Sequence, residues 1–346
     1  MTKSLRSIHK YLSLAVFIPI IIISLSGSIL VYKYEVDNIL MPKVTKVQIK
    51  KKQLSYEKLK KIVNQSQPRH EIVGWLIPTK KDQAHRVYLI KHHTKIWESL
   101  YLNPYTGELL DVLKNHDSYF SDIIVELHAN FLLEKKGLYL LLLVGIFYCF
   151  IAISGIIIYK NFWKNFFILR FNKNLLVYFK DFHKMIGILS SPLILIIAII
   201  GSYWSINSIL KKEIPYHVKE NLYNKNLSLD TLHQEAKNSI KDFKLTYISF
   251  PYKGKKQLSY YGEIKSQNII HNQYSSSIIF DKHTGNIIRV SNVNDLSIYH
   301  KFLGSLRKLH FGYYNEGTKL FWFFLGLSPL LLSITGITLM YKKRKK

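Results

Sequence analysis

Four apolar runs dominate the pattern of hydrophobic and polar positions along the chain. They cover residues 12–32, 138–159, 185–206 and 320–341, and none of them contains an acidic or basic residue. About 20 helical residues cross the hydrocarbon core of a bilayer, so each run is long enough to span it. Charge-free spans also avoid the cost of an unpaired ion in hydrocarbon. The pattern predicts an α-helical membrane protein built on a four-transmembrane-helix bundle.

The positions of Lys and Arg predict the direction of the spans. Three basic residues lie in 1–10, six lie in 160–184 beside a single acid, and the tail 342–346 is wholly basic. Short segments rich in Lys and Arg remain in the cytoplasm. Both termini are therefore predicted to be cytoplasmic, and two long loops, about 33–137 and 207–319, are predicted to lie outside.

Each long loop shows the same order of elements. Hydrophobic periodicity and turn residues predict one amphipathic helix followed by three strands in each loop. These are a helix at 55–67 with strands at 71–77, 86–91 and 97–102, and a helix at 228–243 with strands near 245–250, 258–265 and 276–280. The turns at 103–108 and 281–286 both contain Thr-Gly, and Gly supplies the positive φ of a chain reversal. The loops are predicted to form two small α+β modules.

The spans and the histidines beside them are repeated too. Corresponding spacings are 18 residues from His9 to Gly27 and from His183 to Gly201, 27 from His128 to Gly155, and 26 from His310 to Gly336. Because both halves begin on the cytoplasmic side, they are parallel repeats related by an axis along the membrane normal. Under that axis, His9 faces His183 and His128 faces His310.

These four histidines are the candidate cofactor ligands. Imidazole is the commonest protein ligand for haem and for many transition metals. Two equivalent imidazoles on one axis suit a flat macrocycle, and four-helix bundles are known hosts for such a cofactor. A mononuclear metal site is less favoured, because no matched Cys or carboxylate completes the ligand set. The alternative interpretation is four unrelated histidines at the membrane surface.

Basic residues lie beside the candidate ligands. Arg6, Lys10 and Lys184 are candidates to hold the propionates of an inner haem. Arg307 and Lys308 are candidates for an outer haem. Positive-inside anchoring, or plain surface charge, explains each of these cations equally well.

Several other residues carry open interpretations. Tyr148, Phe150, Tyr203 and Trp204 place aromatic rings between the two membrane faces, as packing residues or as part of an electron path. His116 and His300 precede His128 and His310 by 12 and 10 residues and are candidates for a second, more exposed pair. Pro19, Pro192 and Pro329 lie inside apolar runs and predict kinks. The only cysteine, Cys149, lies within the second run, so the chain forms no internal disulfide.

The net charge of +27 reaches beyond the cytoplasmic segments into the long loops. Such a charge attracts anionic ligands or lipid headgroups. Compositional bias towards Lys, Asn and Ile explains it as well, and no nucleic-acid-binding motif is present. The first apolar run has the basic start of a signal peptide, but its length and the missing A-x-A site favour an uncleaved anchor.

At these residues the chain resembles the PepSY-associated transmembrane family over nearly its whole length. The motifs that carry the resemblance are Ile8-His9-Lys10, Ser26-Gly27, Leu127-His128, Phe182-His183-Lys184, Leu309-His310-Phe311-Gly312 and Thr335-Gly336. The chain departs from the family in having Asn103 for Asp in the first turn, and Ser for Thr before Gly27 and Gly155. The resemblance implies extracytoplasmic PepSY-like modules and, by analogy with some members, two b-type haems whose iron is held axially by the four histidines.

The resemblance also implies a function. Such members look like inner-membrane ferric-siderophore reductases, which are oxidoreductases that pass electrons outward to reduce ferric iron for iron uptake. The chain has no dinucleotide-binding glycine motif, so a separate donor is expected, either a quinol in the lipid bilayer or a cytosolic reductase. The alternatives are a non-redox PepSY-containing binding or regulatory protein, and a siderophore or iron permease component.

The expected organisation places two extracytoplasmic domains between four spans in the bacterial cytoplasmic (inner) membrane. The expected boundaries are 1–33 for the first span, 34–136 for the first PepSY-like domain, 137–160 for the second span, 161–184 for a cytoplasmic loop, 185–206 for the third span, 207–319 for the second PepSY-like domain, and 320–346 for the fourth span with its basic tail.

Overall fold

The computed structural model describes residues 2–159, 168–171, 173–211, 217–254 and 256–344. Parts of the expected cytoplasmic loop (161–167 and 172) and the end of the basic tail (345–346) lie outside these described residues. The chain divides into two compact units. The helical unit comprises Met1–Lys33, Ser121–Lys212 and Leu309–Lys346, and the sheet unit comprises Tyr34–Phe120 and Glu213–Lys308.

The described residues form eleven α-helices and eight strands. In chain order they are α1 (Thr2–Ala15), α2 (Phe17–Val31), α3 (Lys33–Leu40), α4 (Pro42–Thr45), α5 (Tyr56–Ser66), β1 (His70–Leu76), β2 (His85–Lys91), β3 (Trp97–Leu102), β4 (Lys114–Asn115), α6 (Phe120–Asn130), α7 (Glu134–Ile158), α8 (Leu175–Leu210), α9 (Leu229–Ser239), β5 (Phe243–Ser249), β6 (Leu258–Ile264), β7 (Ser276–Phe280), β8 (Ile287–Ser291), α10 (Ile298–Phe311) and α11 (Glu316–Arg344).

Within the described residues, three helices are long and apolar enough to cross a membrane: α7, α8 and most of α11. A fourth candidate is broken, because α1 and α2 meet at an angle of 66°. Pro19 explains the break, since it has no N–H to donate to the carbonyl of Ala15 one turn earlier. The apolar run 12–32 is therefore not one straight helix. The protein is a membrane protein with three such helices, or four spans if the bent pair counts as one.

Helix α8 is longer than its apolar run. It begins at Leu175, ten residues before the run at 185–206, and the side chain of Asn174 caps it by accepting a hydrogen bond from Val177 N. Hydropathy marks only the part that suits lipid, whereas a helix continues to its capping residue. As a result, His183 lies more than two turns inside α8 instead of at its start.

Small residues let the helices of this unit approach closely. Helix α1 packs on α7, α7 on α8, α8 on α11, and α11 on α2. Gly145 of α7 faces the hydroxyl of Ser202 on α8, and Gly326 of α11 faces Ser28 on α2. Ser24 of α2 also donates a hydrogen bond to the carbonyl of Gly326. Interfaces of this kind are typical of helices packed in lipid, where apolar burial alone gives no driving force.

The two modules expected from the sequence share a single antiparallel sheet. Its strand order is β4-β3-β2-β1-β5-β6-β7-β8, so each module contributes four strands and the modules meet at β1 and β5. That junction pairs Trp75 with Ile248 and its neighbours on either side. An open strand edge exposes unpaired N–H and C=O groups, and pairing the two edges satisfies them. Such long-range pairing leaves no local signal in the sequence.

Helices α5 and α9 pack on the sheet and cap each other. The carboxylate of Asp230, in the first turn of α9, accepts hydrogen bonds from Tyr56 N at 2.9 Å and Glu57 N at 3.0 Å. In return, Glu57 Oε2 accepts one from Leu229 N at 3.2 Å. An acidic group is stabilising at a helix N-terminus, so each helix fixes the start of the other. Trp75 and Tyr260 are fully buried in the core beneath them.

Most helix and strand predictions for the long loops are confirmed to within two residues, although α9 ends at Ser239 rather than at 243. Both Thr-Gly turns are present, with Gly107 at φ 78° and Gly285 at φ 80°. The Asn103 side chain accepts from Tyr105 N as the Asp281 side chain accepts from His283 N, so Asn serves as well as Asp here. Strands β4 and β8 and helices α6 and α10 were not predicted.

Candidate functional site

Each of the four candidate histidines lies against a glycine of a neighbouring helix. The distances from the ring Cε1 to a Cβ built on that glycine are 3.5 Å for His9 at Gly155, 2.8 Å for His128 at Gly27, 3.6 Å for His183 at Gly336 and 3.6 Å for His310 at Gly201. The glycines therefore provide the space in which each imidazole ring packs against a helix backbone. The two halves of the chain place their histidines in equivalent surroundings.

Three of the rings are held by the hydroxyl group that precedes the glycine. The Nδ1 atom of His9 lies 2.8 Å from Ser154 Oγ, and that of His183 lies 2.8 Å from Thr335 Oγ1. The Nδ1 atom of His128 lies 3.1 Å from Ser26 Oγ, and also 3.1 Å from the carbonyl oxygen of Ile23.

The direction of these hydrogen bonds fixes the proton on the ring. Ser154 Oγ already donates to the Ile151 carbonyl at 3.0 Å, and Thr335 Oγ1 donates to Leu331 at 2.8 Å. Ser26 Oγ donates in the same way to its own helix. A hydroxyl group has one proton, so a hydroxyl that donates to its own helix accepts from the imidazole, which then carries its proton on Nδ1. The lone pair of Nε2 is then free to bind a metal, as in metal-bound histidines held by an outer hydrogen bond.

His310 differs from the other three. Its Nδ1 atom is buried and has no hydrogen-bond partner among the described residues. The residue before its glycine is Ile200, which has no hydroxyl group. The carbonyl of Ile197, which corresponds to Ile23 at His128, lies near this nitrogen but outside normal hydrogen-bond geometry. The ring instead packs on Trp204, with 5.0 Å between ring centroids.

The structure brings His128 and His310 together, as their repeated positions in the sequence predict. The ring centroids of His128 and His310 are 6.3 Å apart, with their planes at 64°. Metal–imidazole bonds of about 2 Å on opposite sides of one atom put two ring centroids about 6 Å apart. The distance between the rings is therefore compatible with one haem iron that both residues would hold.

A site with only two protein ligands suits haem better than a bare ion. No group of three or more His, Cys, Asp or Glu side chains in the described part of the chain is arranged to hold a metal. In a haem, the macrocycle supplies four nitrogen ligands and the protein adds only the axial ones. The donor set here is therefore compatible with haem.

The two histidine pairs lie far apart along α8. This helix carries His183 and, 18 residues later, the glycine that faces His310. At 1.5 Å per residue this separation is about 27 Å, close to the hydrocarbon thickness of a bilayer. Any electron transfer between the pairs must therefore cross most of the membrane core.

The basic residues expected near the sites have varied surroundings. Lys184 Nζ lies 4.8 Å from the centre of the Tyr159 ring, and Lys10 Nζ lies 5.4 Å from that of Tyr11. Arg6 is exposed. In the sheet unit, the Arg307 guanidinium lies 5.3 Å from the ring of Tyr274, and Lys308 Nζ donates to the carbonyl of His271 at 3.2 Å. Propionate binding by any of these cations stays a prediction.

The secondary candidates are less closely tied to the histidine pairs. His116 packs near Trp97, and His300 is hydrogen-bonded to Ser297; among the described residues the two make no ring contact with each other. Phe150 and Tyr203 are exposed on the helices and Tyr148 is half-buried, whereas Trp204 packs directly on His310. Trp204 is therefore the aromatic residue with a direct link to a candidate ligand.

Buried histidines in the sheet unit have structural surroundings. Burial lowers the pKa of His85 to about 3, so its ring is neutral and accepts a hydrogen bond from Trp75 Nε1 at 3.2 Å. Burial also lowers the pKa of His233 to about 4. The carboxylate of Glu71 is fully buried and is neutralised by Lys225 at 2.7 Å. These groups stabilise the sheet unit and are not arranged as metal ligands.

In the sequence, the Ser/Thr-Gly motifs served only as features of the family resemblance, and their hydrogen bonds to the imidazole rings were not predicted. The repeated spacing between each histidine and a glycine was the signal that could have revealed them.

No match to the chain was found among curated proteins. The family model described as the PepSY-associated TM region matches residues 6–344. Because this match spans nearly the entire sequence, the chain belongs to the PepSY-associated transmembrane family.

Proposed function

We propose that this chain is a haem-containing transmembrane electron-transfer protein, an oxidoreductase that reduces ferric iron for iron uptake. The observation that carries the proposal is that four histidines, repeated between the two halves of the chain, each pack against a glycine of a neighbouring helix. The Nδ1 atoms of three of them lie within hydrogen-bond distance of a hydroxyl oxygen, an arrangement that favours a proton on Nδ1 and an Nε2 lone pair available to a metal. Two lie with centroids 6.3 Å apart. A protein that only anchors or binds has no reason to hold imidazole rings in this way.

The histidines would hold two b-type haems, one between His9 and His183 and one between His128 and His310. Bound haem supplies an iron that changes reversibly between Fe(III) and Fe(II) by one electron. The hydroxyl groups of Ser154, Ser26 and Thr335 orient the rings and keep each ring proton away from the metal side. The apolar helices exclude water from the space between the pairs.

The proposal includes four spans built as two parallel repeats, with the bent pair α1–α2 as the first span. The contact of His9 with Ser154 has its counterpart in that of His183 with Thr335. In the sheet unit, the order β4-β3-β2-β1 from the first half of the chain is followed by the matching order β5-β6-β7-β8 from the second half. The proposal puts both termini in the cytoplasm and the long loops outside the bacterial inner membrane, and the basic segments support this orientation. The His9–His183 pair is then inner and the His128–His310 pair outer.

The proposed substrate is ferric iron held by a siderophore or another ferric chelate outside the membrane. A membrane quinol or a cytosolic reductase supplies one electron on the inner side. The chelated Fe(III) takes up one electron outside and becomes Fe(II). Hard oxygen donors hold Fe(II) less firmly, so the chelator releases it for uptake.

The test combines a spectrum with a transfer reaction on the detergent-purified full chain. We expect a reducible b-type absorption spectrum, and rapid reoxidation of the dithionite-reduced protein when a ferric chelate is added without oxygen. A redox-inert gallium chelate of the same ligand is the control and should cause no reoxidation. A colourless protein from haem-sufficient cells contradicts the proposal and favours a non-redox binding protein or a permease component.

A further inference from the structure

The four histidines differ in the hydrogen bonds that their Nδ1 atoms make. At the His9–His183 pair both hydrogen bonds to a hydroxyl oxygen are 2.8 Å long. At the other pair, His128 has contacts of 3.1 Å. His310 has a buried Nδ1 without a hydrogen-bond partner in the part of the chain that is described. Hydrogen bonding to the imidazole proton is thus stronger at one pair than at the other.

Ile200 is the residue that distinguishes the His310 position from the other three in the sequence. It occupies the position before Gly201 that Ser154, Ser26 and Thr335 occupy before the other three glycines. Ile200 is 4% exposed, so this position holds a buried apolar side chain, and water does not take the place of the missing hydroxyl group. Trp204 covers the same histidine on the next turn of α8.

An outer hydrogen bond changes what an axial imidazole does to iron. A ring that donates its Nδ1 proton to an acceptor becomes a more basic ligand through Nε2. A more basic ligand stabilises Fe(III) relative to Fe(II) and lowers the reduction potential, and an apolar surrounding acts in the opposite direction. The pair with the shorter hydrogen bonds therefore favours Fe(III), and the pair with His310 favours Fe(II).

We propose that Ile200 is a positioning residue that raises the reduction potential at His128–His310 above that at His9–His183. The inference rests on the proposed function. With this order of potentials, haem held by the two pairs would pass one electron spontaneously from the inner pair, which is oxidised, to the outer pair, which is reduced. The quinol or reductase replaces the electron, and the ferric chelate accepts it.

The substitutions Ile200→Thr and Ile200→Val form a matched pair. Thr and Val have the same shape, so they differ only in the hydroxyl group. The threonine hydroxyl can donate to a carbonyl of its own helix, as Thr335 does to Leu331, and accept the proton of His310 Nδ1. A difference between the two variants therefore reports the hydrogen bond and not the lost volume.

The experiment is a potentiometric titration of the purified full chain, followed by the reduced-minus-oxidised absorption of its haem. We expect two midpoints in the unaltered protein, and a shift of only the higher midpoint to lower potential in Ile200→Thr relative to Ile200→Val. The inference is overturned if the two variants have the same midpoints, if the lower midpoint shifts, or if the unaltered protein shows a single shared midpoint.

A second variant keeps the inference testable if substitution at Ile200 prevents folding. Thr335→Val removes the hydroxyl at His183 without changing shape, and it should raise the lower midpoint and narrow the gap. No change in that gap contradicts the inference. Failure of the proposed function has a different signature, because a protein that binds no haem shows no titration at all, whereas normal haem spectra with unmoved midpoints refute only the role of Ile200.

Discussion

At the scale of single residues, the glycines that face the histidines are as important for the candidate site as the imidazole rings themselves. Each candidate histidine packs over a glycine, and the closest approach is at Gly27, where an added Cβ would lie 2.8 Å from His128 Cε1. That distance is shorter than any ordinary contact of a Cβ atom, and the ring is also held by Ser26 Oγ on the same helix. A methyl group at this position must therefore push the ring away from its partner.

Gly27→Ala should consequently remove the haem of the His128–His310 pair and leave the other haem in place. The matched control is Gly304→Ala, because a Cβ on Gly304 meets nothing within 4 Å and Gly304 lies inside helix α10. That control should be neutral or slightly stabilising, since Ala is favoured over Gly in a helix by about 1 kcal/mol. Haem content per chain, measured as the pyridine haemochrome, checks both variants. Equal haem content in the two would refute the packing argument.

At the scale of helices and strands, the break between α1 and α2 sets the position of His9. Helix α1 is turned by 66° from α2 and packs on α7, where His9 reaches Ser154. A straight helix through residue 16 would carry His9 away along the direction of α2. The kink caused by Pro19 is thus part of the candidate site, although Pro19 contacts neither histidine pair.

Pro19→Ala restores the missing N–H and should straighten this junction. We expect loss of the haem at His9–His183 and retention of the other one. Pro192→Ala is the comparison, because Pro192 lies inside α8, which is one continuous helix from Leu175 to Leu210. The absorption spectrum and haem content of the two variants show whether the bend at Pro19 is needed to hold the haem at His9–His183. If Pro19→Ala keeps both haems, the bend does not position His9.

At the scale of the whole molecule, the sequence predicted the apolar helices, the modules and the contact between His128 and His310 because each leaves a local or repeated pattern. Hydropathy located α7 and α11 closely, and the helix-strand order located α5, α9 and most strands. It could not predict that β1 pairs with β5, because strand partners far apart in sequence carry no common signal. The sequence shows Ile200 where the other three sites have a hydroxyl group, but not that those hydroxyl groups contact the imidazole rings, since that contact depends on how the helices pack.

The central claim is that His9 pairs with His183 and His128 with His310 around two haems, and haem content in single and double variants tests it most directly. The account predicts about two haems per chain and one after any single His→Ala change. The double change at His9 and His183 should still leave one haem, whereas the double change at His9 and His310 should leave none. His116→Ala and His300→Ala, as controls, should keep both. A chain without haem, or one haem remaining after changes at both His9 and His310, would contradict the account.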